Sequence, residues 1–584
     1  MSESKIFSVI PDAPEHLIGE GFNKDLTSVL SELDIEKVVS RIYQKDASLW
    51  SSDKAVQTKI SDRLGWLDLP DDKKRKVQDI RTFAEEVKNE GFKYAVLLGM
   101  GGSSLCSEVA RETFGTKRGY LKLHVLDDTD PQAIHAIEKK IVIDKTLFIV
   151  ASKSGNTKES LSFFQYFYDL TKEKLKTKAG NNFIAITDKG TPLVALGKKY
   201  KFRKVFINPS DIGGRYSVLS DFGLVPMALI GVDIASFMYS ALGMKTICSD
   251  AVAASNPGFN LGAEIAIAQL NGKDKLTFII SPSVAAFGYW VEQLIAESTG
   301  KDGKGIIPVN GEEIGAPHVY GDDRIFIYIH AARDDDAGTI KKINTLEKAG
   351  HVVIRIGIPD NIALGGEYYC WELATAVAGM IMGINPFDEP NVAESKKNTD
   401  DILTEWQAKK AFPATTPLLK TGNISIYTSE QTKEIRGEGE SIYHFINTFL
   451  NLAQNGDYIA LLPYFYKTDN RTKFLQDWRM QMRDELRVAT TLLHGPRYLH
   501  STGQLHKGGP NEGLYIILTA DENEQLPIPE GKYGFDVLHR AQALGDFRSL
   551  SDKGRRVIRI DLGKDVDKGL KGLWEILKVK PKRK

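Results

Sequence analysis

From Tyr94 onward, short apolar runs alternate with longer stretches in which apolar residues recur every three or four positions. Short uninterrupted apolar runs are typical of strands buried on both faces, and the longer stretches are typical of amphipathic helices. Strands that alternate with helices predict parallel sheets with helices on both faces. The first group of predicted strands comprises YAVLLG, LKLHVLDD, TLFIVASKS, FIAITD and KVFINP.

Two further groups of strand patterns follow the first. The second comprises LTFIISPS, RIFIYIHAA and HVVIRIGIP, and the third, after about residue 420, comprises ISIYTS, YIALLPYF, GLYIILT and VIRIDLG. Residues before about 75 lack this pattern and predict short helices that pack on another part of the chain through Tyr43, Trp50 and Trp66.

The predicted fold class is α/β, with two tandem doubly wound parallel sheets, an N-terminal helical segment and a C-terminal smaller α/β region. The predicted boundaries are 1–75, 76–240, 241–420 and 421–584.

The net charge of the chain gives no reason to expect a highly charged partner. The chain has 584 residues, of which 42% are hydrophobic, with 76 Lys plus Arg and 76 Asp plus Glu. A neutral balance favours neither nucleic acid nor an anionic membrane, so neither is expected as a partner, and any anion must be bound by local geometry. The basic ending KVKPKRK has no interleaved aromatic residues and is interpreted as a solvated tail.

Three features predict a cytoplasmic protein. Cys106, Cys248 and Cys370 are far apart and lack metal-ligand spacing, which favours reduced thiols. The N-terminal sequence lacks a basic segment followed by an apolar run. The most apolar stretches, 374–384 and 225–244, are interpreted as core helices rather than membrane spans.

The sequence GMGGSS follows the first predicted strand and enters a helix. Glycines there let backbone N–H groups approach a ligand, and the helix N-terminus favours an anion or a sugar hydroxyl, so Gly101, Gly102 and Ser103 are candidate binding residues. An alternative is a dinucleotide-binding loop, with Asp127 at the end of the next strand as the ribose-binding acid. Ser104 stands where that loop has its third glycine.

The sequence SKSGNT follows the third predicted strand directly. Its candidates for binding an anion are Ser152, Lys153, Ser154 and Thr157. Three hydroxyls and a lysine at the carboxyl end of a parallel strand fit a phosphate, whereas an ordinary helix cap explains only one hydroxyl.

Two further segments carry charged candidates. In GGRYS, paired glycines present the guanidinium of Arg215, which could stabilise a developing negative charge or form a structural ion pair. In the helix that ends at ESTGK, Gln293 and Glu297 share a face, and a buried Glu297 could act as a general base, although a surface glutamate is the commoner case.

The last candidates lie later in the chain. FDEPNVAESK offers Lys396 after a helix start, and HSTGQLHKGG offers His500 and His506 for acid/base work near neutral pH. A satisfied surface turn is the alternative for the histidine segment.

In chain order, GMGGSS, SKSGNT, GGRYS, ESTGK and FDEPNVAESK resemble the glucose-6-phosphate isomerase family, which is built from two sugar isomerase (SIS) domains. The resemblance covers roughly residues 90 to 400. The C-terminal region and GQLHKGGP resemble the isomerase half of bacterial transaldolase/glucose-6-phosphate isomerase fusions.

The resemblance implies a role for each candidate. The serine/threonine loop would hold the sugar phosphate, His506 with Lys396 would open the ring, and Glu297 would move the proton through a cis-enediolate. Gln293 would lie alongside Glu297, and Arg215 would stabilise the enediolate charge. Neither a cofactor nor a metal would be required.

The sequence departs from the family in two places. Glu389 stands where the family has a glutamine, and the histidine segment follows the lysine motif instead of preceding it. His506 is the choice for the ring-opening histidine because it follows Gly503-Gln504, and His500 is the alternative.

Other functions stay open at this point. SIS domains also serve as non-catalytic phosphosugar-binding regulators, and an isomerase for another phosphosugar or an NAD-linked dehydrogenase are further alternatives. The expected partner is a small-molecule phosphosugar. The oligomeric state is left open, a homo-oligomer included.

Overall fold

The computed structural model describes residues 20–71, 77–433, 441–521 and 524–578. The N-terminal sequence assessed for a signal and the basic tail beyond Lys578 lie outside these ranges. Within them, no helix combines the length and apolar character needed to cross a bilayer.

The first sheet has five parallel strands in the order β2-β1-β3-β4-β5. Its strands are β1 Tyr94–Leu98, β2 Lys122–Leu126, β3 Thr146–Ala151, β4 Phe183–Asp188 and β5 Lys204–Asn208. Each of the five predicted strands forms. The strand order reverses between β1 and β3, and the carboxyl ends at such a reversal form the usual ligand crevice of open α/β sheets.

The second sheet has four parallel strands in the order β7-β6-β8-β9. Its strands are β6 Lys275–Ile280, β7 Ile307–Val309, β8 Arg324–Ala331 and β9 Val352–Ile358. The sequence pattern missed β7, because three residues are too few to show a periodicity.

The third sheet has six strands in the order β10-β11-β15-β14-β12-β13, with antiparallel pairing of β11 to both β10 and β15. Its strands are β10 Leu419–Thr421, β11 Ile424–Thr428, β12 Tyr458–Tyr464, β13 Ala489–Leu492, β14 Gly513–Thr519 and β15 Arg556–Asp561. The C-terminal region was predicted as the smaller unit, yet its sheet has the most strands of the three. The two edge strands, β10 and β13, were too short to be recognised.

Helices surround all three sheets. In the described residues they are α1 Glu20–Ile35, α2 Val38–Tyr43, α3 Lys54–Ser61, α4 Val77–Asn89, α5 Leu105–Phe114, α6 Pro131–Glu138, α7 Lys158–Leu175, α8 Pro192–Lys199, α9 Asp221–Leu229, α10 Ile234–Cys248, α11 Pro257–Leu270, α12 Phe287–Thr299, α13 Ala337–Lys348, α14 Leu364–Ile381, α15 Val392–Lys409, α16 Glu430–Lys433, α17 Ile442–Leu450, α18 Asp469–Leu486, α19 Gly503–Gly508, α20 Phe535–Asp552 and α21 Val566–Lys578.

The N-terminal helices pack on the first two sheets' helices, as their aromatic residues predicted. Trp50 donates its indole N–H to the carbonyl oxygen of Ala376 over 2.8 Å, and Trp66 stacks on Tyr216 with ring centroids 5.3 Å apart. One hydrophobic core joins these helices to the first and second sheets. The third sheet has one core of its own and shares another with α12 and β7 of the second unit. The residue boundaries between the units stay predictions.

Candidate functional site

The serine/threonine loop closes on itself between β3 and α7. The Ser152 and Thr157 hydroxyl oxygens are 2.7 Å apart, and the backbone N–H of Gly155 donates to Ser152 Oγ over 3.1 Å. Gly155 has φ +70°, a conformation that favours glycine. The exposed Ser154 hydroxyl donates to Asn156 Oδ1 over 2.6 Å. The loop therefore exposes the Ser154 hydroxyl beside the N-terminus of α7, whereas Ser152 is buried. An exposed donor at a helix N-terminus suits a phosphate.

Lys153 is directed away from these hydroxyls. Its ammonium forms an ion pair with Asp188 at the end of β4 and donates to the carbonyl oxygen of Ser210 over 3.1 Å. The structure thus brings the three hydroxyl residues together and gives Lys153 a partner elsewhere.

The glycine-rich loop lies against two other predicted segments. Gly101 has φ +55°, and a Cβ there would come within 2.6 Å of the carbonyl oxygen of His500. A Cβ on Gly102 would overlap the carbonyl oxygen of Gly214. Both positions need glycine because the segments approach so closely, and the neighbouring Ser103 is buried in the same 3-10 turn.

Glu297 lies in the last turn of α12, with its neighbours fixed around it. Gln293, one turn earlier, donates through Nε2 to Glu297 Oε2 over 2.9 Å and to the carbonyl oxygen of His500 over 2.8 Å. Arg215 Nη1 lies 3.5 Å from Glu297 Oε1. The predicted base, its amide neighbour and the predicted arginine are therefore in one cluster.

Arg215 is fully buried and holds the turn that follows α14. Its guanidinium donates to Ser298 Oγ over 2.7 Å, to Glu389 Oε2 over 3.0 Å and to the carbonyl oxygens of Pro386 and Asp388 over 2.8 and 3.0 Å. The glutamate that replaces the family's glutamine thus forms an ion pair with the predicted catalytic arginine.

The environment of Glu297 raises the pKa of its carboxyl group. Burial is the main cause, and the negative charge of Glu389 adds to it. The charge of Arg215, the hydrogen bond from Gln293 and the charge of His500 act in the opposite direction. A carboxylate with a raised pKa is a stronger base than an exposed glutamate, which suits proton abstraction from carbon.

A cavity of about 230 Å³ lies between the serine/threonine loop and α15. Thr157, Glu159, Lys396 and His500 line it. Lys396 is exposed, and its charge helps to lower the pKa of Glu159. The structure therefore brings the predicted lysine to the predicted phosphate loop, in the company of His500.

Glu159 and Gln542 complete this cavity, and the sequence analysis missed both. His500 Nε2 lies 3.0 Å from Glu159 Oε1, and Gln542 Nε2 donates to the same oxygen over 2.7 Å. Burial raises the pKa of Glu159, but the charge and hydrogen bond of His500 outweigh it and lower that pKa to about 2. The Gln542 amide is oriented by Thr129, whose hydroxyl lies 2.6 Å from its Oε1.

The sequence held a signal for Glu159 but none for Gln542. Glu159 follows Thr157 at the start of α7, where a carboxylate is stabilised by the helix dipole and lies beside the phosphate loop. Gln542 lies inside α20 of the third unit, in a stretch with no glycine-rich or charged motif to mark it.

The structure does not bring His506 to the cluster of Glu297 and His500. Its ring is buried between those of Tyr498 and Tyr515, with centroids 5.6 and 5.1 Å away, and its Nδ1 has no hydrogen-bond partner in the described chain. Burial lowers the pKa of His506 well below its ordinary value. The contacts of His506 are therefore those of a buried residue that packs in the protein core.

The neighbours of His506 also make contacts within the protein. Gln504 donates to the carbonyl oxygen of Gly300 over 2.9 Å and to Asn391 Oδ1 over 2.8 Å, and Lys507 forms a buried ion pair with Asp546 at 2.6 Å. The GQLHK residues thus join α12, the start of α15 and α20.

The carboxylate of Asp127, the candidate ribose-binding acid, contacts Ser104 and Arg497. Its Oδ2 accepts from Ser104 Oγ over 3.2 Å and lies 3.3 Å from Arg497 Nε. The strand order 2-1-3-4-5 also differs from the 3-2-1-4-5 order of dinucleotide-binding sheets.

The described residues contain no group of three or more His, Cys, Asp or Glu arranged to hold a metal ion. The three cysteines are free and buried.

Comparisons with known proteins identify a family and several relatives of this chain. The model of the phosphoglucose isomerase family matches residues 68–311. A glucose-6-phosphate isomerase of Lactobacillus helveticus is 30% identical over 393 residues, which are 59% of this chain and 87% of that protein. One from Streptococcus pyogenes serotype M18 is 29% identical over 396 residues, with the same shares.

Two solved structures share the fold. A hypothetical protein from Thermus thermophilus superposes with a TM-score of 0.56 at 23% identity, over 66% of this chain and 98% of that one. A glucose-6-phosphate isomerase from Chlamydia trachomatis gives 0.53 at 17% identity, over 66% and 87%. The sequence relationship, which spans most of the length of its curated relatives, shows that this chain belongs to the glucose-6-phosphate isomerase family.

Proposed function

We propose that the protein interconverts glucose 6-phosphate and fructose 6-phosphate as an aldose-ketose isomerase. The observation that carries the proposal is the position of Gln293. Its side-chain Nε2 donates hydrogen bonds both to the Glu297 carboxylate and to the backbone carbonyl oxygen of His500. Gln293 thereby links Glu297, the proposed base for proton abstraction from carbon, to His500, the proposed ring-opening residue. Both are proposed to act on a sugar whose phosphate is bound by the serine/threonine loop.

Glu297 is the proposed base that takes the proton from C2 of the open-chain aldose and returns it at C1 of the cis-enediolate. Arg215 Nη1, at 3.5 Å from this carboxylate, is close enough to stabilise negative charge that develops on the adjacent oxygens. Most of its other donors are bonded to protein oxygens, so the guanidinium is rigidly held before substrate binds.

His500, rather than His506, is the proposed ring-opening residue, with Lys396 as its neighbour. Glu159 holds the His500 imidazole by its Nε2, which leaves Nδ1 to exchange a proton with the ring oxygen or the anomeric hydroxyl. Gln542 keeps the Glu159 carboxylate in place and is a positioning residue.

Ser152, Ser154 and Thr157 are the proposed phosphate ligands, together with the N-terminus of α7. Binding at the phosphate would orient the reacting carbons toward Glu297, which converts remote binding energy into rate. Gly101 and Gly102, which lie against His500 and Gly214, and the neighbouring Ser103 are proposed to contact the sugar.

Turnover of fructose 6-phosphate by the purified protein tests the proposal, with glucose 6-phosphate detected by a coupled dehydrogenase and with EDTA present in a parallel reaction. We expect turnover that EDTA does not change. Tight phosphosugar binding without turnover would instead indicate a regulator.

We further propose a cytoplasmic location, which the three free buried cysteines support.

A further inference from the structure

A second cleft, larger than the one that holds His500, lies between the first and third sheets. Its volume is about 520 Å³. The carboxyl end of β2 and helix α5 form one wall, and the segment that follows β13 forms the other. Among the described residues that line it, none is a predicted ligand or catalytic residue of the isomerase site. The cleft is therefore a separate space with its own chemistry.

One end of this cleft contains polar nitrogen atoms that lack hydrogen-bond partners. Both ring nitrogens of His494 and the Nη2 of Arg497 have no hydrogen-bond partner in the described part of the chain. Lys467 is exposed at the mouth, and the described residues offer it no ion pair. Burial and the charges of Lys467 and Arg497 lower the pKa of His494 to about 3, so its ring is neutral and keeps one N–H donor.

The other charged groups of the cleft are mostly neutralised within the protein. Arg111 donates to both carboxylate oxygens of Glu108 over 2.9 and 3.0 Å and also pairs with Glu112. Asp127 pairs with Arg497 through Nε at 3.3 Å, which leaves the Nη2 of that guanidinium for a ligand. At the rim, Lys140 and Asp469 carry opposite charges and are exposed.

Two further carboxyl groups, those of Asp128 and Glu292, line the same cleft. Asp128 Oδ1 accepts the backbone N–H of Asp130 over 2.9 Å and lies 3.6 Å from His539 Nδ1. Burial raises the pKa of Asp128 well above its ordinary value and that of Glu292 to about 8. Glu292 is therefore protonated near neutral pH and can donate as well as accept hydrogen bonds, which suits the hydroxyl groups of a sugar or polyol, and Asp128 offers them a second carboxyl group.

The guanidinium of Arg497 is held over an aromatic ring. Its central carbon lies 5.3 Å from the ring centroid of Tyr289, which is 37% exposed. Stacking of this kind fixes the plane of a guanidinium and leaves its edge for an anion. A phosphate has enough acceptor oxygens to satisfy Lys467, His494 and Arg497 together.

We propose that this cleft binds a phosphate monoester of a polyhydroxy compound, with the phosphate at Lys467, His494 and Arg497 and the hydroxyls at Asp128 and Glu292. The site goes beyond the proposed isomerase function and does not depend on it. Its phosphate ligands share no residue with the serine/threonine loop.

Equilibrium dialysis of the full-length protein against radiolabelled inorganic phosphate tests this site. We expect two bound phosphates in the unmodified protein and one in the variant that combines Ser154→Ala and Thr157→Ala. Lys467→Glu should weaken the remaining phosphate at least about tenfold, the scale of reversing one charge about 5 Å away in water. Lys342→Glu, an exposed lysine on α13, is the matched control and should change neither phosphate.

A polyol phosphate then tests the ligand class. In the Ser154→Ala/Thr157→Ala variant, sorbitol 6-phosphate should displace the labelled phosphate at a lower concentration than unlabelled phosphate does, and sorbitol should not displace it. Equal potency of sorbitol 6-phosphate and inorganic phosphate would overturn the assignment of hydroxyl contacts.

Two results would overturn the site itself. One is a single phosphate in the unmodified protein that is lost in the Ser154→Ala/Thr157→Ala variant. The other is a second phosphate whose affinity is unchanged by both Lys467→Glu and His494→Gln. If the serine/threonine loop binds no phosphate, one bound phosphate that responds only to Lys467→Glu and His494→Gln will still be seen, so the two proposals fail separately.

Discussion

His500 Nε2 lies 3.0 Å from Glu159 Oε1, although 341 positions separate the two residues along the chain. Glu159 lies in the first turn of α7, after the serine/threonine loop of the first sheet, and His500 follows β13 of the third. Their contact brings the third unit to the proposed site, because this unit supplies both the histidine and Gln542, a residue that holds the histidine's partner.

Replacing His500 separates ring opening from proton transfer. We expect His500→Ala to lower turnover of closed-ring glucose 6-phosphate at least about a hundredfold and that of an open-chain analogue less than about tenfold, because only the first needs ring opening. His506→Ala is the matched control. It opens a cavity between two tyrosines, so it should lower the midpoint of thermal unfolding and leave the ratio of the two rates unchanged. The reverse pattern would return the role to His506.

Removing the carboxylate of Glu297 tests the base. Glu297→Gln should keep the affinity for substrate and lower turnover at least about a hundredfold, the usual scale for a lost general base. Deuterium from D2O should enter C2 of glucose 6-phosphate with the unmodified protein and not with the variant. Glu264→Gln is the control, since burial raises the pKa of Glu264 to about 7 at a position in α11 away from the site. Near-normal turnover of Glu297→Gln would exclude it as the base.

The pH dependence should respond to Glu389. The negative charge of Glu389 raises the pKa of Glu297. The ion pair of Glu389 with Arg215, at 3.0 Å, also partly neutralises the guanidinium, whose positive charge lowers the pKa of Glu297. Glu389→Gln therefore lowers the pKa of Glu297 by both routes. Because Glu297 must be ionised to act, the acid limb of kcat/KM should move to lower pH, with the pH profile of the unmodified protein as reference. A shift to higher pH, or none, would contradict this coupling.

The phosphate loop should discriminate between ligands. Ser154→Ala combined with Thr157→Ala should weaken binding of phosphosugars and spare that of unphosphorylated analogues, which serve as the internal control. Inhibition constants for the two ligand types measure the difference. An equal loss for both types would argue against a phosphate loop.

Gln542 offers a test of positioning. Gln542→Leu removes the donor to Glu159 and should lower turnover of the closed-ring substrate several-fold more than that of the open-chain analogue. Gln542→Glu should lower it further, because a second carboxylate would lie beside Glu159 and repel it. Gln407→Leu, on the partly buried side of α15, is the control. An equal loss on both substrates would indicate a purely structural role.

The sequence by itself determined the α/β class, every strand of the first sheet, and the segments that meet at the site. Apolar runs record burial directly, and close approaches such as those of Gly101 and Gly102 demand glycine, so both leave a mark in the sequence. The same holds for the three hydroxyls of the phosphate loop, whose number exceeds what a helix cap needs.

Only the tertiary structure decided which polar side chains meet. Lys153 lies in the phosphate loop but pairs with Asp188, and His506 follows a Gly-Gln pair but is buried between tyrosines, whereas His500 reaches Glu159. Short edge strands such as β7 and β13 also escaped the sequence pattern. The physical reason is that hydrophobic periodicity reports local burial, while the pairing of charges depends on how distant segments pack, which spacing along the chain does not encode.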